Sequence, residues 1–162
     1  MATTYTTPAF NRPAVFAKGY PGVVRVWYDV DLDGLTADAT YALTDGDMFK
    51  CMNVPPDAII VGGGIVGRGI LDDGGTPALV MDLQVTDGTT TKTVADACGT
   101  FATANVHYSS YDVTHGVGDG LGYEITDDDF YVNVEVITTA AGDAAASAYF
   151  SVYIDYLLNK FI

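Results

Sequence analysis

The sequence predicts an all-β protein: an antiparallel β-sandwich or barrel that is jelly-roll-like and carries an extended N-terminal arm. Short segments of alternating apolar and polar residues indicate strands, and Gly, Asp and Pro between them indicate turns. The chain has 162 residues, 49% of them hydrophobic. A domain of this length buries about 70% of the surface that its unfolded chain exposes, so it can hold a full core. We expect residues 1–22 to form the arm and residues 23–162 to form a single β domain.

The N-terminal arm is predicted from Pro8, Pro13 and Pro21, which keep the segment out of helices. Its aromatic side chains lie too far apart to bury one another, so nothing within the arm holds it in place. We therefore expect the arm to become ordered against a neighbouring subunit or another surface. Its candidate interaction residues are Tyr5, Phe10, Phe16 and Tyr20.

Alternating patterns predict the strands in the first half of the chain. Residues 23–31 and 79–85 alternate apolar and polar side chains, which is typical of half-buried strands. Residues 47–54 form a shorter strand that two prolines end. An apolar run begins at residues 59–61, and we expect the glycines within residues 62–69 to interrupt it.

The second half of the chain predicts one short helix and two strands. Alanines within residues 94–104 favour a short helix, although a glycine and two threonines weaken it. Residues 130–136 alternate, which predicts a strand with one face toward water. A turn at residues 138–143 then leads into the alternating segment 146–156, and we expect these two strands to form a terminal hairpin.

The charge is strongly one-sided, with 21 Asp and Glu against 7 Lys and Arg and a formal net charge of -14. The cations are scattered singly, whereas nucleic acid and anionic membranes are bound through clustered Lys and Arg. We therefore expect neither as a partner. The N-terminus lacks the pattern of a signal peptide and no apolar run reaches about 18 residues, so we expect synthesis and retention inside a cell.

A glycine motif after the apolar run is the sharpest candidate for a cofactor site. Gly62, Gly64 and Gly67 satisfy the dinucleotide pattern G-x-G-x-x-G, and Asp82 follows at the distance where an acid would hold the ribose. The pattern also needs a helix whose N-terminus faces the pyrophosphate, and residues 65–71 are too short and too rich in glycine to supply it. We expect no cofactor here and interpret the glycines as a bulged strand or a close backbone contact.

Aspartates at alternate positions give a candidate calcium site. Asp29, Asp31 and Asp33 have the opening spacing of an EF-hand loop, but the twelfth position is Thr40 and a strand precedes the motif. An EF-hand is therefore excluded. Three solvated aspartates at the end of a strand are the simpler interpretation, and a calcium site of another kind stays open.

Other reactive side chains do not form a recognisable catalytic or metal pattern. The histidines are His107 and His115, no serine lies in a nucleophile elbow, and Cys51 and Cys98 have no ligand spacing. We interpret the two cysteines as buried free thiols and the acidic run 127–129 as a solvated turn. We expect no catalytic residue and no metal ligand.

Five segments stand out in order along the chain: Ala17-Lys-Gly-Tyr-Pro-Gly22, the strand Val23 to Val30, Gly46-Asp47-Met48-Phe49, Asn53-Val-Pro-Pro-Asp-Ala-Ile-Ile-Val-Gly62 and the alternating Ala146 to Tyr156. In this order they resemble the decoration, or cement, proteins of tailed-phage heads. The glycine stretch 62–69 and residues 157–162 do not align with that family.

The resemblance implies a non-enzymatic β-sandwich that is made in the host cytoplasm and lies on the outer surface of the capsid. It implies the major capsid protein as partner, bridging of capsid subunits, no cofactor and a homotrimer. The apolar segments 130–136 and 148–156 also suggest a trimer, because they offer more apolar surface than we expect one small sandwich to hide. Two alternatives stay open: a head-fibre, tail or other virion adhesin that recognises a host receptor or glycan, and a small enzyme.

Overall fold

The structure is a computed structural model that describes residues 4–6, 22–32, 41–111, 118–145 and 147–158. These residues form nine β-strands. In chain order they are β1 Thr4–Thr6, β2 Val24–Asp31, β3 Met48–Asn53, β4 Ala58–Gly67, β5 Val80–Thr86, β6 Thr91–Gly99, β7 His107–Ser109, β8 Tyr131–Thr138 and β9 Tyr149–Leu158.

The strands form two sheets that pack face to face. The first sheet has the order β1-β3-β8-β5-β6, and the second has the order β2-β9-β4-β7. Every pairing is antiparallel except that of β1 with β3, which is parallel. The fold is therefore the predicted antiparallel β-sandwich.

The pairing of the strands is also nested. From β2 onward the first strand pairs with the last, as β2 with β9, then β3 with β8, β4 with β7 and β5 with β6. A long antiparallel hairpin rolled into two four-stranded sheets has this nested pairing. Strand β1 adds a fifth, parallel strand at the edge of the first sheet.

The hydrophobic core lies between the two sheets. Phe49 of β3 meets Phe150 of β9 edge to face, with ring centroids 5.3 Å apart, so the rings join one sheet to the other. Both are fully buried, as are Leu83 and Val134 of the central strands. Burying one such side chain stabilises a fold by about 1.5–3 kcal/mol. The two cysteines are buried and free, as predicted, so apolar burial holds the sandwich together without a disulfide.

The predicted short helix at residues 94–104 is wrong, because Thr91–Gly99 is strand β6. It pairs with β5 and places Val94, Ala95 and Cys98 in the core. The register with β5 shifts between Met81 and Leu83, and Ala97 opposite this region has φ of 53°. Alanine favours a helix only weakly, and burial against β5 outweighs that preference.

Two expectations about β8 are also wrong. Its second face is not wet: Asn133 is only 2% exposed because β8 lies in the middle of its sheet, between β3 and β5. The polar side chains bond along the sheet, Asn133 Nδ2 to Gln84 Oε1 at 3.1 Å and Gln84 Nε2 to Glu135 Oε2 at 2.7 Å. Strands β8 and β9 do not form a hairpin either, because the loop between them crosses from one sheet to the other.

Part of the predicted arm contributes to the first sheet. Thr4 to Thr6 pair with Met48 to Lys50 as the short parallel strand β1. The other arm residues, up to residue 21, lie outside the described residues, so the arm stays a prediction. In the part of the chain that is described, no helix is long and apolar enough to cross a membrane.

Candidate interaction face on the second sheet

The outer face of the second sheet carries a cluster of large polar and aromatic side chains. Alternation along β9 places Val152 and Ile154 in the core cluster and turns Tyr153 and Asp155 to the opposite side. Side chains from β2, from β7 and from the residues after β7 lie over these two. We call the resulting cluster the aromatic face; it consists of Arg25, Trp27, His107, Tyr111, Tyr153 and Asp155.

An ion pair fixes one end of the aromatic face. Arg25 lies directly opposite Asp155 in the β2–β9 register. Its Nε donates to Asp155 Oδ1 at 2.6 Å and its Nη2 donates to Oδ2 at 2.7 Å. The hydroxyl of Tyr111 donates a third bond to Oδ2 at 2.9 Å. Asp155 is 1% exposed, so these donors supply what water would otherwise give this carboxylate.

Aromatic stacking fixes the middle of the face. Trp27 lies opposite Tyr153 on β9, and their ring centroids are 4.6 Å apart. The guanidinium carbon of Arg25 lies 4.3 Å from the centre of the Tyr153 ring, which adds a cation–π contact. Nε2 of His107 is 3.0 Å from the Tyr153 hydroxyl. Tyr153 is therefore held by two side chains at its ring and by a third at its hydroxyl.

The phenols of this face stay protonated at neutral pH. Burial and the hydrogen bond to Asp155 raise the pKa of Tyr111. Burial also raises the pKa of Tyr153. Tyr111 thus remains a hydrogen-bond donor to Asp155, and neither phenol adds a negative charge to the face.

The glycine motif shapes this face and does not form a nucleotide loop. Residues 58–67 are one strand, with a register shift between Ile60 and Gly62, so the expectation that the glycines interrupt the run is wrong and the bulged-strand interpretation is confirmed. A Cβ on Gly62 would collide with the Tyr111 hydroxyl, and one on Gly64 would collide with the Tyr153 ring. Because these positions have no side chain, the two phenols lie flat across β4.

The face exposes apolar surface that the rest of the described chain mostly hides. Trp27 is 45% exposed and Tyr111 is 55% exposed. The described residues contain three further exposed large apolar side chains, Val23, Tyr149 and Ile137. Val23 directly precedes β2 and Tyr149 begins β9, so only Ile137 belongs to the first sheet. The exposed apolar side chains therefore gather on the second sheet.

The one predicted interaction residue within the described ranges does not lie on this face. Tyr5 lies in β1 of the other sheet, whereas Phe10, Phe16 and Tyr20 lie outside the described residues. The sequence did contain a signal for part of the face: the alternation in residues 23–31 and 146–156 separates four of its members from the core positions. Neither segment alone shows that β2 pairs with β9, and it is this pairing that brings their side chains together in one cluster.

Two of the other candidate residues, Asp29 and Cys98, are held by contacts within the protein itself. Asp29 accepts a hydrogen bond from Ser151 Oγ at 2.5 Å, while Asp33 and His115 lie outside the described residues. Burial raises the pKa of Cys98 to about 12, so its thiol is unreactive at neutral pH. The acidic run 127–129 is exposed in a turn, as predicted. Within the described ranges, no group of three or more His, Cys, Asp or Glu is arranged to hold a metal ion.

The same fold occurs in two solved phage capsid structures. A chain of the Cyanophage Pam1 capsid asymmetric unit matches with a TM-score of 0.59 and 20% identity, over 94% of this chain and 99% of that one. A chain in the capsid of Ralstonia phage GP4 matches with a TM-score of 0.67 and 17% identity, over 96% of this chain and 97% of that one. No family model and no curated protein matches the sequence. At such identities the likeness is one of fold.

Proposed function

We propose that this chain is a non-enzymatic structural protein of a tailed-phage virion, which decorates the outer surface of the capsid and cements it by bridging major capsid subunits. The observation that carries the proposal is the length of the structural match. It spans 99% and 97% of the two chains from phage capsids, so each of those chains is a small sandwich of this kind and little else. The resemblance of the five sequence segments to cement proteins supports the same role.

The described residues are consistent with a structural role. The one buried carboxylate of the aromatic face, Asp155, accepts three hydrogen bonds from Arg25 and Tyr111. A catalytic group, by contrast, is held ready for a substrate, with its pKa matched to the proton that it moves. The residues of this face therefore suit recognition and stability.

We further propose a homotrimer, which the resemblance to cement proteins supports. The argument from surplus apolar surface does not support it, because the apolar side chains of residues 130–136 and Phe150, Val152 and Ile154 are buried within a single chain. Light scattering tests the proposal. We expect a mass of about three times the 17.1 kDa of the chain. A monodisperse species of the chain mass at micromolar concentration would contradict it.

The N-terminal arm, with Tyr5, Phe10, Phe16 and Tyr20, is proposed as one attachment element. Ordering its backbone costs roughly 1–2 kcal/mol per residue, so a neighbouring surface has to offer pockets for the aromatic rings. Deleting residues 2–16 should lower attachment to the particle. It also removes β1, whose three residues lie at a sheet edge, so the core should lose little stability. Loss of cooperative melting with attachment unchanged would make the arm an integral strand instead.

Particles produced without this chain test the proposed function directly. We expect such shells to assemble but to rupture at a lower temperature or lower osmotic stress, and we expect added purified protein to restore their resistance. Shells that are equally resistant with and without the protein would contradict the cementing role.

One observation favours an adhesin as a second candidate function. Trp27 and Tyr111 expose aromatic surface, which receptor and glycan sites often contain. In that case, particles without the chain should keep their resistance to rupture but adsorb poorly to host cells. The two functions therefore predict opposite outcomes in the same pair of assays.

A further inference from the structure

From the contacts of the aromatic face we propose that it is the surface with which this chain docks onto its shell, against a capsid subunit surface that has an apolar centre and a basic rim. The inference rests on the proposed function and adds to it the face that is used and the chemistry of the partner.

The composition of the face is that of a binding hot spot. Trp, Tyr and Arg are the residues that contribute most to protein–protein binding energy, and they do so from the centre of an interface. Here Trp27 and Tyr111 are about half exposed, and so is Arg25, whose side chain is 45% exposed. A flat sheet surface with these residues suits a protein partner better than a small ligand, since small ligands bind in concave sites.

The face is also preorganised. Arg25 is held by two hydrogen bonds, Trp27 is stacked on a buried ring, and Tyr111 is bonded to a buried carboxylate. Immobilising a flexible side chain on binding costs about 0.5–1.5 kcal/mol. These three side chains have already lost most of that freedom in the free protein, so more of the contact energy remains for affinity.

Charge selects a basic partner and disfavours a second copy of this chain. Next to the aromatic face, Asp29 and Asp31 are exposed on β2, and Arg68 is the neighbouring cation, bonded to Ser151 at 3.3 Å. Among the described Asp, Glu, Lys and Arg residues of this rim, the negative charges therefore exceed the positive ones by one, on a chain with a net charge of -14. Two such faces would repel each other, whereas a basic rim on a shell subunit would be attracted.

The experiment measures binding of full-length protein to particles assembled without this chain. Trp27→Ala and, independently, Tyr111→Ala should weaken binding at least tenfold, which is the effect of losing about 1.4 kcal/mol at a hot spot. Ile137→Ala is the matched control, because Ile137 is 41% exposed on the other sheet, and it should stay within twofold. Asp31→Asn should weaken binding at low salt and reduce its dependence on ionic strength, whereas Asp128→Asn in the exposed turn should do neither.

Several outcomes would overturn the inference. Wild-type binding by both the Trp27 and the Tyr111 variant, each checked for cooperative melting, would show that another face docks. A change in oligomeric state caused by Trp27→Ala would assign the face to a second copy of the chain. Unchanged binding to particles together with lower adsorption to host cells would assign it to a receptor. Failure of the wild-type protein to bind particles would refute the proposed function itself. Results from the variants alone test only which face docks.

Discussion

Arg25 and Asp155 lie opposite each other on β2 and β9, and two hydrogen bonds of 2.6 and 2.7 Å join their side chains. The arginine is partly exposed, with 45% of its side chain open to solvent, whereas the aspartate is buried. Removing the arginine therefore leaves a buried carboxylate with the Tyr111 hydroxyl as the one remaining donor among these contacts.

We expect Arg25→Ala to lower the free energy of unfolding by about 2 kcal/mol, measured by urea denaturation. Breaking a fully buried pair costs about 3–5 kcal/mol, and water reaching the space left by the half-exposed arginine reduces that cost. Lys92→Ala is the control, because Lys92 pairs with Asp119 on the surface, and it should not change stability measurably. Equal effects of the two substitutions would show that Asp155 does not depend on Arg25.

A second buried aspartate joins two loops. Asp72 is fully buried and lies in the loop before β5. Its carboxylate accepts five backbone N–H bonds, from Gly74, Ala78, Leu79, Ala141 and Gly142, of which the last two lie in the loop between β8 and β9. Burial acts to raise the pKa of Asp72, but these donors together outweigh it and hold the pKa below its usual value.

This carboxylate should make stability depend on pH in acid. The pKa of an aspartate in the unfolded chain is about 3.9, so the unfolded state binds the proton first as the pH falls. The contribution of Asp72 is complete above that pH and is lost as the pH falls through the lower folded-state pKa. Asp72→Asn should lower the free energy of unfolding by about 2–4 kcal/mol at pH 7, because the amide NH2 group of the new side chain faces backbone N–H donors instead of accepting from them. The loss should be smaller at pH 3. Asp128→Asn, in an exposed turn, is the control; a penalty for Asp72→Asn that does not depend on pH would contradict this account.

The glycines under the aromatic face should differ in their tolerance of a methyl group. At Gly64 the added carbon meets the backbone oxygen of Tyr108 and the buried Tyr153 ring, so Gly64→Ala should destabilise the fold by about 1–3 kcal/mol. At Gly62 it meets the exposed Tyr111, which can swing away. Gly62→Ala should therefore detach Tyr111 from Asp155 and cost less stability than Gly64→Ala, about 1 kcal/mol, because Arg25 still pairs with that carboxylate. The control is Gly75→Ala, where no heavy atom lies within 4 Å; identical melting of all three variants would be inconsistent with this packing.

Tyr156 presents a polar atom in the core without a partner. Its ring is 1% exposed, and its hydroxyl has no hydrogen-bond partner among the residues that the structure describes. Tyr156→Phe removes this buried oxygen, so unfolding free energy should stay the same or rise by about 1 kcal/mol. Tyr153→Phe is the matched comparison, because that hydroxyl contacts His107, and it should lower stability by about 1 kcal/mol. A clear loss of stability for Tyr156→Phe would mean that its hydroxyl is bonded.

Local periodicity was enough to predict the sandwich and most of its strands. The alternation of residues 23–31 corresponds to β2, whose side chains are exposed and shielded in turn. Local periodicity failed to predict the structure where neighbouring strands in the sheet determine the conformation or the burial of a segment. In β6 the alanines favour a helix, but pairing with β5 makes the segment a strand and buries Ala95. The second face of β8 is covered because β3 and β5 flank that strand. Both effects depend on residues far away in the chain.

Contacts between residues far apart in the sequence also explain why the aromatic face was not predicted. The sequence shows Trp27 and Tyr153 on the polar sides of two strands, but not that these strands are neighbours. The glycine motif was predicted to be a bulged strand because the segment after it is too short for the helix of a dinucleotide site, and it does lie in strand β4. Its role in the fold depends on tertiary contacts. Gly62 and Gly64 leave room for the side chains of Tyr111 and Tyr153, which lie far away in the sequence.

The central claim is that this chain decorates a capsid and bridges its subunits, and a cryo-EM map of the particle that contains it tests this most directly. The account predicts density for the nine-stranded sandwich on the outer surface, over the junctions between major capsid subunits, with Trp27 and Tyr111 facing the shell. Density for the sandwich in the tail or in a fibre, or a capsid whose outer surface lacks it, would contradict the account.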